Sequence, residues 1–387
     1  MCTLEKPVIP KSDIKYFLQH RWDETPAVSQ QLDGLKGNTT IRDALDDFYT
    51  REVAIPETLS ALRKEKLDQI LPGLIARIQR NNSRVRCLEP IYVGSIAEEL
   101  NIRKDSDLNI ILPLSVVGTI TPIPADHKPG MYELKLPRLF NIKEINEDRW
   151  TGWRGERDCL SPVLANLMFR KFIAKWRDVR QHTGTVVEPG TDAGKTSPVR
   201  IVIAFSDKPV SENNDILSIE IIPGIAIGKK SSGYRKLFVA KDFTLRNSCQ
   251  DLLWTAVTYE NERVLLYKVN KADDGCRLRV LKILKALRRK DEALAQLTTY
   301  QMKHALLHLC DEQVDQTQWQ KRKLEQCFIE ILGKLVEFVA KRELPHFFLD
   351  KLNLLDNIPE KTLAKIESRL KVLSKREKEL GRLLQKE

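Results

Sequence analysis

The sequence predicts an α+β fold in two lobes: a core of mixed sheet around one long spine helix, then a C-terminal lobe of helices. Three observations carry that prediction. Leu59, Leu62, Ile70, Leu74 and Ile78 recur at helical spacing between about Pro56 and Arg80, the mark of a long amphipathic helix. Four apolar, β-branched runs follow, at Ile91–Val93, Leu108–Leu114, Val199–Ala204 and Ile216–Ile222, bounded by turn-rich stretches such as PIPADHKPG and GTVVEPGTDAGKTSP. From Asp251 onward the strand signal fades and amphipathic helices take over.

Taken in order, residues 1–54 form a leader with a short helix at Ile41–Thr50, and Asn38, Thr39 and Thr40 stand ahead of it as cap candidates. Residues 55–250 form the core, whose long helix should bend at Pro72-Gly73. Residues 251–387 form the helical lobe, with helices expected at Arg277–Arg289, Thr299–Cys310, Leu324–Lys341 and Leu363–Leu384. Glu377 interrupts the leucine stripe of the last one, which favours packing on the same chain over a coiled coil. No Gly/Ser-rich or Pro-rich linker separates the two lobes, so they should pack as one unit with a cleft between them.

Of the 387 residues, 42% are apolar and 30% charged, which suits a globular chain and excludes a disordered one. The net charge of +11 favours a polyanionic partner. The start, MCTLEKPVIPKSD, lacks the apolar core of a signal peptide, and no run reaches the roughly 18 apolar residues of a membrane span. A cytoplasmic location is expected. The seven cysteines (Cys2, Cys87, Cys159, Cys249, Cys276, Cys310, Cys327) are odd in number and contain no C-x-x-C pair, so a disulfide framework is not expected. His304, His308 and Cys310 lie within two helical turns, but no Glu follows His304 and no fourth ligand is near. They are expected to pack a helix, and no zinc is expected.

The chemistry concentrates at Tyr92-Val93-Gly94-Ser95, nine residues, and Asp105-Ser106-Asp107 leading into an apolar strand. Alternation along a strand turns Asp105 and Asp107 to one face, about 7 Å apart. Two like charges on one face repel unless a cation joins them, and a pair of Mg²⁺ (or Mn²⁺) ions held by carboxylates is what phosphoryl and nucleotidyl transfer uses. Gly94 lets backbone come close to a phosphate, and Ser95 offers it a hydroxyl and an amide. Glu220 stands alone among isoleucines in the Ile216–Ile222 strand, where a buried, unpaired charge is costly and a metal would remove the cost.

These features resemble a known family. The hG[GS] pattern, its spacer and the D-x-D before a strand look like the polymerase-β-type nucleotidyltransferases, although Ser106 is less apolar than that pattern prefers. Further landmarks point to the animal cyclic GMP-AMP synthase-like receptors and their male-abnormal (Mab) domain relatives: SPVRIVIAF, Trp254 with Glu262 in WTAVTYENERVLL, CRLRVLKILKAL, TTYQMKHALLHLC, Trp319, KLEQCFIEILGKLVEFV and ELPHFFLDKLNLL. The resemblance runs from about Leu59 to Leu355. It implies Asp105, Asp107 and Glu220 as catalytic metal ligands and Gly94 and Ser95 as the triphosphate loop. It further implies Lys282, Lys285 and Lys303 as phosphate-holding cations, and Glu262, Thr298, Thr299 and Tyr300 as lining of the nucleotide site, with Tyr300 stacking on a base. Two departures matter. Asp273-Asp274-Gly275-Cys276 leaves no room for the zinc insertion of the DNA-sensing branch. Trp254-Thr255-Ala256-Val257 replaces that branch's W-R-x-S, which puts base choice in doubt.

Cations recur in three places: Lys229, Lys230, Arg235, Lys236 and Lys241; Arg170, Arg177 and Arg180; and Arg63, Lys64, Arg77 and Arg80 of the long helix. Each alone suits a solvated face; together they suit a groove that binds duplex nucleic acid through its phosphates. Gly194-Lys195-Thr196 imitates the end of a Walker A loop but lacks the glycine five positions before Gly194. The expected protein makes a cyclic dinucleotide second messenger from two NTPs, ATP and GTP among them, when activated by double-stranded RNA. The resemblance implies antiviral innate immunity and a STING-type receptor for the product. A catalytically silent Mab-type developmental binding protein and a templateless RNA-tailing enzyme are the rival readings.

Overall fold

The centre of the fold is a parallel pair of strands, β3 (Asp107–Ser115) and β8 (Ile216–Ile227), in register from Asp107↔Ser218 to Ser115↔Ala226. The computed structural model describes residues 40–81, 86–103, 107–115, 120–126, 128–137, 153–180, 187–189, 199–204, 216–227, 236–240, 253–273, 275–312 and 323–385. On its other side β3 takes β1 (Arg86–Cys87) and β2 (Ile91–Val93), both antiparallel. β8 is long enough to take β7 (Val199–Ala204) along its first half and β9 (Lys236–Val239) along its second. β6 (Val187–Pro189) extends β7; β10 (Leu253–Ala256), β5 (Met131–Lys135) and β4 (Thr121–Pro124) continue the sheet beyond β9. The sheet is therefore mixed, as expected. Pro122 and Pro124 hide β4 from sequence reading, because proline is tolerated in a strand only at an edge such as this one.

Alternation sorts the sheet into two faces. Leu108, Ile110, Leu112 and Leu114 of β3 and Leu217, Ile219 and Ile221 of β8 face one way. They pack on Leu67, Ile70, Leu71 and Leu74 of α2 (Glu57–Asn81) and on Ala165, Phe169, Phe172 and Ile173 of α3 (Pro162–Arg180). The expected long helix is α2, which runs through Pro72 without ending. Residues of the opposite parity, Asp107, Asn109, Ser218 and Glu220 among them, form the other face. On that face Val93, Ile111, Ile222 and Val239 form a small second core with Tyr259, against which Tyr300 packs.

The helical region comprises α4 (Tyr259–Ala272), α5 (Cys276–Lys290), α6 (Thr299–Glu312), α7 (Leu324–Lys341), α8 (Glu360–Lys375) and α9 (Glu377–Gln385). Its core also recruits α1 (Ile41–Phe48) and the turn after it, through Ala44, Leu45, Phe48 and Val53. Thr40 and Asp43 cap α1 reciprocally, each side chain accepting the other's backbone N–H at 3.2 Å. Four contacts stitch the segment to the helices: Asp46 to Arg279 at 2.5 Å, Glu52 to Lys290 at 2.8 Å, the Arg279 guanidinium 4.1 Å from the Tyr49 ring centre, and Arg51 to the Leu384 carbonyl at 2.6 Å. The expected Leu363–Leu384 helix is two helices, broken at Arg376, immediately before Glu377. Its leucine stripe (Leu363, Ile366, Leu370, Leu373, Leu380) is buried in the same core. Among the described residues no helix is long and apolar enough to cross a membrane.

Candidate functional site

Asp107 and Asn109 of β3 and Ser218 and Glu220 of β8 share the sheet face that bears the small second core. Asp107 is exposed and Glu220 half-buried. The parallel register sets Asp107 opposite Ser218 and Asn109 opposite Glu220, so the two acids are diagonal neighbours on adjoining strands. Glu220 is less isolated than its isoleucine-rich strand suggests, because β7 places Arg200 directly across from it. That neighbour comes from antiparallel pairing and no local pattern announces it. Asp107 and Glu220 are hard oxygen donors of the kind Mg²⁺ takes. Asp105, the third expected ligand, lies outside the described residues.

The turn after β2 rises beside these acids. Gly94 adopts φ +79°, which favours glycine, and a Cβ there would stand 2.9 Å from the Asn109 side-chain amide, whose tip would have to shift. The Glu98 and Leu100 amides close the turn onto the carbonyls of Gly94 (2.9 Å) and Ser95 (2.7 Å). The Ser95 hydroxyl accepts from the Lys285 ammonium at 2.6 Å, which also donates to the Leu100 carbonyl at 3.2 Å. Lys285 is buried, and Lys282 on the same helix is half-buried.

Lys303, expected to hold a phosphate, is 3% exposed and enclosed by carboxylates: Glu98 at 2.9 and 3.0 Å and Glu262 at 2.5 Å. Glu262 is wholly buried and also accepts from the hydroxyls of Thr258 (2.5 Å) and Tyr300 (3.1 Å). Burial alone would push the Glu262 carboxyl up, but Lys303 and the Thr258 hydroxyl hold it below the usual carboxylate range. Burial pushes Glu98 up in spite of Lys303, and the neighbouring Glu262 charge adds to the rise. Lys303 itself keeps its proton, since the two carboxylates outweigh its burial.

Glu262, His304 and His346 bring one potential ligand atom each within 4.8 Å of the others, so the cluster invites comparison with a metal centre. The hydrogen bonds argue against one. His346 Nδ1 accepts the amides of Phe348 and Leu349, both at 3.0 Å, and His304 Nδ1 accepts that of Phe347 at 3.0 Å. An amide can only donate, so each neutral ring carries its proton on Nε2. His346 Nε2–H then donates to the Tyr300 oxygen at 2.7 Å, and Tyr300 donates onward to Glu262. His304 Nε2 faces Glu262 at 3.8 Å, too far for a hydrogen bond. Burial pushes the His346 ring down to about 4 and His304 well below the usual range. The cluster is a hydrogen-bonded network whose nitrogens have no lone pair turned inward for a cation.

The other expected residues fall in several places. Thr298 and Gln301 cap α6 reciprocally (2.7 and 3.1 Å), so the Thr298 hydroxyl serves the helix start; the T-x-x-Q spacing is a legible cap signal. Thr299 and Tyr300 are half-buried, and Tyr300 meets Tyr259 edge-on with ring centres 6.4 Å apart. Arg63, expected on the phosphate-binding surface, is buried instead, while Lys64 and Arg170 are half-buried. Lys229, Lys230 and Arg235, and the side chains of Arg77, Arg80, Arg177, Arg180 and Lys236, lie outside what is described. Glu98, Arg200 and His346 are the residues sequence reasoning missed.

Comparison with known proteins adds to this geometry. Residues 276–372 match the family model described as the Mab-21 protein HhH/H2TH-like domain. The chain is 23% identical over 355 residues to cyclic GMP-AMP synthase-like receptor 3 of Stylophora pistillata, covering 87% of this chain and 96% of that protein. It is 29% identical over 364 residues to the cyclic GMP-AMP synthase-like receptor of Tribolium castaneum, covering 84% and 86%. It is also 34% identical over 125 residues to the mitochondrial dynamics protein MID49 of Xenopus laevis, but there it covers only 31% of this chain and 26% of that protein. With its α+β architecture, mixed sheet and C-terminal helical region, the chain is similar over most of its length to the cyclic GMP-AMP synthase-like receptors and carries the match to the Mab-21 domain in its helical region.

Proposed function

We propose that this chain is a divalent-metal-dependent nucleotidyltransferase that joins two ribonucleoside triphosphates into a cyclic dinucleotide when duplex nucleic acid, chiefly double-stranded RNA, is bound. The observation that supports it most is Asp107 and Glu220 on one face of adjoining strands, beside a Gly94-Ser95 turn whose positive φ favours glycine. Asp107, Glu220 and Asp105 would hold Mg²⁺ or Mn²⁺, which when bound neutralises phosphate charge and lowers the pKa of a coordinated hydroxyl. The remaining work belongs to the chain. Ser95 and the Gly94 backbone cradle a triphosphate, Lys282 and Lys285 approach it from the helical lobe, and Tyr300 offers an aromatic edge to a base. A ribose hydroxyl of one nucleotide attacks the α-phosphate of the other and pyrophosphate departs; a second such displacement closes the ring. The product would serve as a second messenger for a STING-type receptor in antiviral defence.

The likeness to a mitochondrial dynamics protein favours a second reading, a catalytically silent member of the family. Retention of Asp107 and Glu220 on one open face weighs against it, since a binding scaffold has no use for them. Incubation of purified protein with four labelled NTPs and Mg²⁺ or Mn²⁺, with and without duplex RNA or DNA, tests the choice. Chromatography should reveal a phosphatase-resistant product that rises with duplex RNA. Its absence under every condition supports the silent reading, and a ladder of tailed RNA would mean a tailing enzyme.

A further inference from the structure

The turn that carries Ser95 is gripped from the helical lobe at two points, and one of them involves a residue without an assigned role. Glu98 lies four residues beyond Gly94, and its side chain is 5% exposed. Both of its carboxylate oxygens meet the Lys303 ammonium, at 2.9 and 3.0 Å. Lys303 belongs to α6 and reaches on to Glu262 of α4 at 2.5 Å, so a single ammonium ties the turn to two helices. Lys285 of α5 supplies the second grip, on the Ser95 hydroxyl and the Leu100 carbonyl. The rest of the polar network, namely Thr258, Glu262, Tyr300, Lys303 and His346, comes from residues 258–346. Glu98 is its member from the core side of the chain.

Such a device is a poor way to obtain stability alone. Two carboxylates and one ammonium lose their hydration on burial, and apolar side chains of similar volume often serve as well or better. What a charge-assisted, two-oxygen grip adds is a defined separation between the groups it joins. Here it joins the turn that begins at Gly94-Ser95 to the helices bearing Glu262 and Tyr300, so its geometry sets how those groups converge.

We propose that Glu98 is a positioning residue for triphosphate binding: through Lys303 it fixes the Gly94–Leu100 turn against the helical lobe, so that Gly94 and Ser95 are pre-set before the nucleotide arrives. This role rests on the nucleotidyltransferase reading. Preorganisation of this kind lowers the cost of binding without touching the reacting atoms. Loss of Glu98 should therefore raise KM far more than it lowers kcat.

The test uses the full chain. Glu98→Gln keeps the shape and removes the charge. Without nucleotide, hydrogen exchange at the Glu98 and Leu100 amides should quicken about tenfold in this variant, because local opening becomes easier. The Kd for a non-hydrolysable ATP analogue with Mg²⁺, and the KM for ATP, should rise about tenfold, with kcat within about threefold of wild type, in the range supporting residues show. Lys303→Gln, which also loses the Glu262 contact, should raise the Kd at least as much, and the double variant should be no worse than Lys303→Gln alone, because Glu98 acts through that ammonium. A purely structural role would lower the melting temperature and leave the Kd and the KM-to-kcat split unmoved; that result, or single effects that multiply in the double variant, overturns the proposal. Should Glu98→Gln fail to fold, Glu98→Asp, which keeps the charge on a shorter stem, takes its place, and an unchanged Kd there overturns it equally. Wild-type protein that binds no analogue refutes the nucleotidyltransferase reading and the positioning role together. Wild-type binding untouched by Glu98→Gln refutes the positioning role alone.

Discussion

The acidic groups of the sheet face and those gathered around Lys303 are built in opposite ways. Asp107 and Glu220 stand on adjoining strands, one exposed and one half-buried. Glu98 and Glu262 are buried and share an ammonium that the fold itself provides. The difference teaches which carboxylates can receive a cation from outside. A carboxylate near water can trade hydration for a metal, whereas one already enclosed around Lys303 would have to expel a buried charge first. Residue type alone would have ranked all four alike.

The contrast breaks most visibly at Asp107. Asp107→Asn should reduce dinucleotide synthesis by more than about a hundredfold, since even residues that merely support a metal ligand cost 10–100-fold, and it should leave the melting curve where it was. Near-wild-type turnover in a labelled-NTP assay would remove the sheet acids from the chemistry. Glu262→Ala should do the reverse to stability. It leaves Lys303 with one carboxylate and deprives two hydroxyls of their acceptor, so urea unfolding should report a loss of about 3–5 kcal/mol. A loss well under 1 kcal/mol would mean that Glu98 satisfies the ammonium alone and that the two acidic groups differ less than their burial suggests.

Acid sharpens the comparison further. His346 titrates at about 4 when folded and near 6.5 when unfolded. Between those values the unfolded chain binds more protons, so stability rises with pH. The contribution is complete above pH 6.5 and is lost as pH falls toward 4, on the order of 3 kcal/mol. His304 acts with the same sign. Unfolding of wild type and His346→Gln at pH 7 and pH 4.5 checks this, and equal losses in both proteins would place the acid sensitivity elsewhere. The smallest expected effect is that of Glu220→Gln on stability. A cross-strand partner such as Arg200 contributes roughly 0.2–1 kcal/mol, so metal-free protein should lose no more than that. A larger loss in urea titration would show Glu220 to be a structural anchor like Glu262.

What could be read from the sequence was local. The D-x-D before an apolar strand, the Gly94-Ser95 turn and the helical stripes are patterns within a dozen residues, and alternation or a 3.6-residue period translates them directly into faces. The break at Arg376 escapes such a reading, because the leucine stripe continues across it and Glu377 points only to packing on the same chain. The polar network was not legible because its members are distant in sequence: Glu98 and Lys303 are 205 positions apart and Ser95 and Lys285 190. Lys285 and Lys303, expected to hold phosphates, meet partners that no window contains. The same limit hid Arg200, which meets Glu220 only because β7 runs antiparallel to β8.

The contact between Arg51 and the Leu384 carbonyl spans 333 positions, and it bears on how the protein is made. At roughly 5–20 residues per second, a ribosome needs on the order of 20–60 seconds to deliver α9 after α1 has emerged. During that interval Ala44, Leu45 and Phe48 lack part of the surface that finally covers them. The sheet can assemble from segments already synthesised, but the helical core must wait for its last helix. Until that helix arrives the apolar residues of α1 keep part of their surface in water, which makes the interval the one in which the helical lobe is most open to wrong contacts.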